Sequence, residues 1–163
     1  MNTPENLSHP ITPTTPGECD AVFQRSNIDD CRIMQLPRVA HANGSLSFQQ
    51  NDNDAPFIIK RVYYLYDIPG DSARGGHAHR ENESLLIAVS GSFTVTLNDG
   101  HRSRSFFLNR PYVALHIPPG FWREIDNFSS GAVCLVLTSE VYDEADYVRD
   151  FDTFKQLTQH KKY

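Results

Sequence analysis

The chain has 163 residues, of which 39% are apolar and 11% aromatic, enough for one folded domain with a real core and too many for wholesale disorder. A formal net charge of −5 and a pI near 5.7 argue against a nucleic-acid partner, whose footprint is a basic excess, while leaving room for a small anionic ligand held by a local arginine cluster. No apolar run approaches the roughly 18 residues of a membrane span, the N-terminus lacks a secretory pattern, and three cysteines without metal-type spacing fit a reducing, cytoplasmic setting.

Residues 1–20 are rich in Pro, Thr, Ser and Asn, are punctuated by Pro4, Pro10, Pro13 and Pro16, and show no apolar period. They read as a flexible N-terminal arm, and residues 21–163 as a single domain. From Cys31 the pattern turns to short strands: Cys31–Leu36, Ser45–Gln49 and a long one over Phe57–Asp67 that is dense in β-branched and aromatic residues. Ser84–Val89, Ser92–Leu97, Arg102–Leu108, Val113–Ile117, Trp122–Ile125 and Ala132–Ser139 follow, separated by Ser90-Gly91, Asn98-Asp99-Gly100 and Pro118-Pro119-Gly120. Strands this short and this regularly punctuated predict an all-β sandwich or barrel. The period changes only near the end. There Asp143 is a candidate N-cap, and Tyr147, Phe151, Phe154 and Leu157 recur at helical spacing, predicting a C-terminal helix docked by one apolar face.

The chemistry concentrates in Arg74-Gly75-Gly76-His77-Ala78-His79-Arg80-Glu81-Asn82-Glu83. In an extended segment His77 and His79 share one face and Ala78 takes the other. The segment resembles the first cupin motif: His77-Ala78-His79, three residues, then Glu83. Its flanking glycines, Gly70 and Gly91, each stand one residue too far out. Pro118-Pro119-Gly120, two residues, Arg123, three residues, Asn127 resembles the second motif. Here Arg123 occupies the position of the metal-binding histidine, and Tyr112 that of the leading glycine. Arginine cannot deprotonate to ligate a cation and brings a fixed positive charge instead. The resemblance therefore implies a cupin jelly-roll barrel with a lost or converted metal site, so no metal and no cofactor is expected. A three-ligand site of His77, His79 and Glu83 is the alternative.

Further strings narrow the resemblance. Ile59-Lys60-Arg61-Val62-Tyr63-Tyr64-Leu65-Tyr66-Asp67, Gly91-Ser92-Phe93, Trp122-Arg123-Glu124 and Tyr142-Asp143-Glu144-x-Asp146-Tyr147-x-Arg149 are similar, in order and spacing, to the thymidine-diphosphate-sugar 3,4-ketoisomerases. The likeness covers about Ser45 to Lys155. His41-Ala42-Asn43 departs from it, standing where relatives commonly carry an acidic residue and an Arg before Gly-Ser-Leu. The resemblance implies a dTDP-sugar substrate, with His77 as the carbon base and His79 assisting proton transfer between oxygens. Imidazole suits both tasks, since its unperturbed pKa lies near neutrality. Arg61, Tyr63, Arg74 and Arg123 are the candidate substrate-binding residues, because a diphosphate and a developing enolate both call for positive charge. On the long strand, Arg61 and Tyr63 share a face, which is taken as the cavity face because a buried arginine demands an anion.

Glu83 is a candidate to orient one of the histidines, and Trp122 either stacks on the base or fills the core. Arg80 and Arg102 are expected in solvent, Arg149 and Asp150 as structural parts of the helix. A homodimer is expected, from the resemblance and because an unpaired Phe57–Asp67 edge is an association hazard. A metal-dependent cupin enzyme and a non-catalytic nucleotide-sugar binding module are the competing readings.

Overall fold

Alternation explains most of the strands. In Phe93–Asn98, Phe93, Val95 and Leu97 are fully buried while the threonines between them reach the surface. The computed structural model describes residues 16–159. It contains twelve strands: β1 (Arg32–Gln35), β2 (Arg38–His41), β3 (Gly44–Ser47), β4 (Arg61–Leu65), β5 (Arg74–His79), β6 (Ser84–Ser90), β7 (Phe93–Asn98), β8 (Ser103–Leu108), β9 (Val113–Ile117), β10 (Trp122–Asp126), β11 (Val133–Thr138) and β12 (Tyr147–Val148). Two helices flank them, α1 (Pro16–Arg25) and α2 (Phe151–Thr158). One antiparallel sheet runs β1-β9-β6-β11-β4, a second runs β12-β5-β10-β7-β8, and β2-β3 stands apart as a hairpin. The fold is the expected all-β cupin jelly roll with a short C-terminal helix.

The two sheets face each other across a core of Leu86, Ala88, Val95, Leu97, Leu115, Ile117, Phe121, Ile125 and Val136, with Tyr63 and Leu65 packed against it. The outer face of each sheet is covered as well. Over the second sheet, α1 and α2 enclose Phe23, Ala78, Trp122, Val148 and Phe154. The Phe23 and Phe154 rings meet edge-on at 5.9 Å. Full burial of each is worth roughly 1.5–3 kcal/mol. Over the first sheet, Leu85, Ile87, Ala114 and Leu137 are covered by Phe57 and Ile59.

Some element boundaries differ from the sequence reading. The strand expected over Phe57–Asp67 pairs only as β4, because Phe57 and Ile59 leave the ladder to pack on the outer face of the first sheet. The helix expected near Asp143 begins at Phe151 instead. Asp150 caps it by accepting the Thr153 N–H at 2.7 Å, and Asp143 caps only a 3-10 turn over Glu144–Asp146. Tyr147 therefore lies in β12, paired with His79. Residues 1–15 of the expected arm lie outside the described residues, and 16–20 open α1. Among the described residues, no helix is long and apolar enough to cross a membrane.

Candidate active site

Pairing of β5 with β10 sets His77 directly opposite Arg123, and a bulge follows between Arg123 and Glu124. The bulge explains the glycine before the histidines. Gly75 sits at φ +88°, and a Cβ there would lie 2.6 Å from the Arg123 carbonyl oxygen. Strand alternation then turns Ala78 outward under the helices and both histidines inward. Their rings stand nearly perpendicular with centroids 4.9 Å apart.

A cavity of about 350 Å³ opens beside them. Five of the six expected site residues line it: Arg61, Tyr63, Arg74, His77 and Arg123. His79 lies behind this wall, only 1% exposed, with the Tyr147 ring 4.4 Å from its own. Arg61 faces inward, as the facing argument expected. Its Nε donates to Thr138 Oγ1, and its guanidinium lies over the Tyr63 and Tyr142 rings.

Arg123 is 2% exposed. Its Nη1 donates to Ser84 Oγ at 3.0 Å, while Nε and Nη2 are buried without an acceptor among the described residues. Burying a guanidinium with donors unmet is costly, and an anion in the cavity would offset that cost. Burial lowers the Arg123 pKa, from so high a starting value that the charge persists.

The same charge acts on the histidines. Burial first, then Arg123, pushes His77 down from 6.5 to about 3 and His79 to about 4. Both imidazoles are therefore neutral at pH 7, and both Nε2 atoms are buried without a partner among the described residues. The expectation of near-neutral pKa values is corrected here by burial and the neighbouring arginine. Burial also raises the Tyr63 phenol, keeping it protonated.

Glu83 does not orient either histidine of the pair. Its Oε2 meets His116 Nε2 at 2.8 Å, and His116 belongs to the outer face of the first sheet. Among the described residues, no three His, Cys, Asp or Glu side chains come together as a metal requires. The donor set of a metal cupin does not fit this site, with Glu83 engaged elsewhere and Arg123 facing His77. The orienting carboxylate is Asp146, whose Oδ2 lies 2.6 Å from His79 Nδ1. Its Oδ1 accepts the backbone N–H groups of Arg80 and Glu81.

The wall after Val141 was not read from the sequence as part of the site. Tyr142, Tyr147 and Arg149 all line the cavity. Arg149 lies 4.2 Å over the Tyr147 ring and donates to both oxygens of Glu144, which also accepts from Tyr142. Placing Tyr147 on a helix face hid this wall; a strand there brings its ring to the histidines. Arg80 is not free in solvent either, since it bonds Asp20 and the carbonyls of Ala145 and Tyr147. Arg102 pairs with Asp29 at the surface. Trp122 fills the outer core between Phe151 and Phe154 and does not reach the cavity.

The family model described as "FdtA: WxcM-like, C-terminal" matches residues 29–159. A protein of Aneurinibacillus thermoaerophilus named TDP-4-oxo-6-deoxy-alpha-D-glucose-3,4-oxoisomerase is 39% identical over 125 residues, 77% of this chain and 90% of that one. The crystal structure of a 3,4-ketoisomerase from Helicobacter canadensis is 44% identical, with a TM-score of 0.76, covering 78% of this chain and 96% of its own. A histidine-to-asparagine mutant of the 3,4-ketoisomerase QdtA from Thermoanaerobacterium thermosaccharolyticum, in complex with TDP-4-keto-6-deoxyglucose, is 36% identical with a TM-score of 0.77, covering 79% and 94%.

Proposed function

The chain belongs to the FdtA family of WxcM-like C-terminal domains and is a sugar 3,4-ketoisomerase, and we propose that it converts dTDP-4-keto-6-deoxyglucose to a dTDP-3-keto-6-deoxyhexose. The observation that carries this reading is the pairing of an unprotonated His77 with the unmet donors of Arg123 across one cavity. A base must meet C3 while a cation meets the oxygen that gathers charge, and these two groups supply both.

In the first step His77 Nε2 takes the C3 proton. The electron pair forms the C3–C4 double bond, and charge moves to O4, where the Arg123 N–H groups receive it. The proton of O3 passes to O4; His79, buried behind His77 with the two ring centroids 4.9 Å apart, assists through His77 and does not touch the sugar. C4 is then reprotonated, and the C3 carbonyl forms. Atoms balance without any outside reductant or oxidant. The bound dianionic diphosphate and the enediolate offset the Arg123 charge, raising the His77 pKa when it must hold a proton. Arg61 and Arg74 supply charge for the diphosphate, and the Arg149 wall extends that rim.

The protein acts in this reading in the cytoplasm, in deoxyamino-sugar supply for surface glycans such as lipopolysaccharide. It works as a homodimer. β4 is a sheet edge with Val62 and Tyr64 more than half exposed, and a second, apolar cavity of about 470 Å³ lies beside it between Phe48, Val62, Val89 and Leu135.

The deciding experiment is proton NMR of dTDP-4-keto-6-deoxyglucose with the purified protein in D₂O, with and without EDTA. A new 3-keto sugar in both samples is the expected result. No change in either sinks the substrate assignment, and turnover lost only with EDTA overturns the metal-free reading.

A further inference from the structure

The Asp146 carboxylate does more than touch His79. It has two oxygens with separate duties. Oδ1 accepts two backbone N–H groups, from Arg80 at 3.0 Å and Glu81 at 2.6 Å. Oδ2 lies 2.6 Å from His79 Nδ1, and the Asp146 side chain is 12% exposed. An ionised carboxylate only accepts hydrogen bonds. The proton on His79 must therefore sit on Nδ1, and Nε2 must be bare. Two further features hold the arrangement. β12 pairs with β5 so that Tyr147 is opposite His79, and the Arg80 N–H is shared between Oδ1 and the Asp146 carbonyl, which it meets at 2.9 Å. These bonds join the strand carrying the histidines to the turn carrying the carboxylate.

We propose that Asp146 is a positioning residue that sets the working tautomer of His79, keeping Nδ1–H on the carboxylate and Nε2 free as a proton acceptor beside His77 and Tyr147. This deepens the isomerase reading and rests on it for its catalytic meaning. A group assisting that transfer from behind His77 must first accept a proton. The opposite tautomer, with Nε2–H, presents a donor where an acceptor is required. Asp146 also gives the protonated His79 a counter-charge in direct contact, whereas His77 is bonded to the Gly75 backbone.

The Asp146→Asn variant separates this from a merely structural contact. Its one carbonyl oxygen cannot serve both duties. Left on the two backbone donors, it turns the amide NH₂ toward His79 Nδ1, which must then accept. The His79 proton moves to Nε2. The alternative flip sets an NH₂ against two N–H groups and is disfavoured. The expected result in long-range ¹⁵N–¹H NMR is a wild-type His79 with Nδ1–H and bare Nε2, and a variant His79 with Nε2–H. With dTDP-4-keto-6-deoxyglucose, kcat falls on the order of 10²–10⁴-fold, while KM stays within about threefold.

Wild-type protein showing Nε2–H overturns the proposal without any variant, so a D146N protein that fails to fold leaves it testable. A folded variant that keeps Nδ1–H, or one that flips and keeps wild-type kcat, overturns it too. Absence of isomerase activity in the wild type defeats the substrate assignment instead, and the spectra still decide the tautomer.

Discussion

His77 and Arg123 are coupled at the scale of single residues, and their coupling can be read in two ways. Replacing Arg123 with Gln removes a buried positive charge next to the imidazole, so the His77 pKa rises from about 3 toward its ordinary 6.5. A histidine-resolved NMR titration checks the direction. The same variant loses the donors proposed to meet the enediolate, and kcat is expected to drop on the order of 10²–10³-fold. His77→Gln removes the proposed carbon base; turnover is expected to fall on the order of 10²–10⁴-fold while calorimetric binding of dTDP persists. pH dependence follows from the same shifts. Both histidines are held below the 6.5 of an unfolded chain, to about 3 and about 4. Between pH 6.5 and 4 the unfolded state binds protons that the folded state refuses, so stability falls as pH falls through this window. The His77→Gln variant has a flatter fall in melting temperature between pH 7 and pH 4.

At the scale of elements, the β5–β10 bulge and the helix layer have separable duties. Gly75→Ala forces a Cβ to within 2.6 Å of a backbone oxygen at a positive φ. The bulge must open, which moves Arg123 relative to His77, so both melting temperature and kcat fall. Phe154 is fully buried against Phe23, Trp122 and Phe151, on the far side of the second sheet from the cavity. Phe154→Ala costs about 3–5 kcal/mol by urea unfolding, with kcat per folded molecule little changed at low temperature. A variant that lost turnover while keeping stability would show that the helix layer reaches the site. The candidate site shows the same division between sequence and structure. The H-x-H spacing made the inward pair legible, because strand alternation is local. Asp146 and Tyr147 were not placed, because the helical spacing of Tyr147, Phe151 and Phe154 is shared by two different elements, and only pairing with β5 shows where the strand stops.

For the whole molecule, the open edge of the first sheet is the feature that a single chain leaves unresolved. β4 is a sheet edge with the exposed Val62 and Tyr64, followed by the exposed Tyr66, beside an apolar cavity. Light scattering after size exclusion at micromolar concentration is expected to give twice the 18.5 kDa chain mass. Tyr64→Glu, which sets a charge on that edge, shifts the population toward monomer. A wild-type monomer would defeat the dimer.

The sequence by itself determined the strand-and-turn architecture, the shared face of the two histidines and the fixed charge of an arginine where the resemblance to a cupin motif expects a histidine. These follow from period-2 alternation, from turn chemistry and from side-chain type, which act within a few residues. The tertiary structure alone decided which carboxylate orients His79, that Glu83 turns away to His116, that Trp122 belongs to the outer core, and that the imidazoles are neutral. Each depends on what distant segments bring to one place. Asp146 is 67 positions from His79, and His116 is 33 from Glu83. Burial and a neighbouring charge, which set a pKa, exist only once the sheets have closed around them.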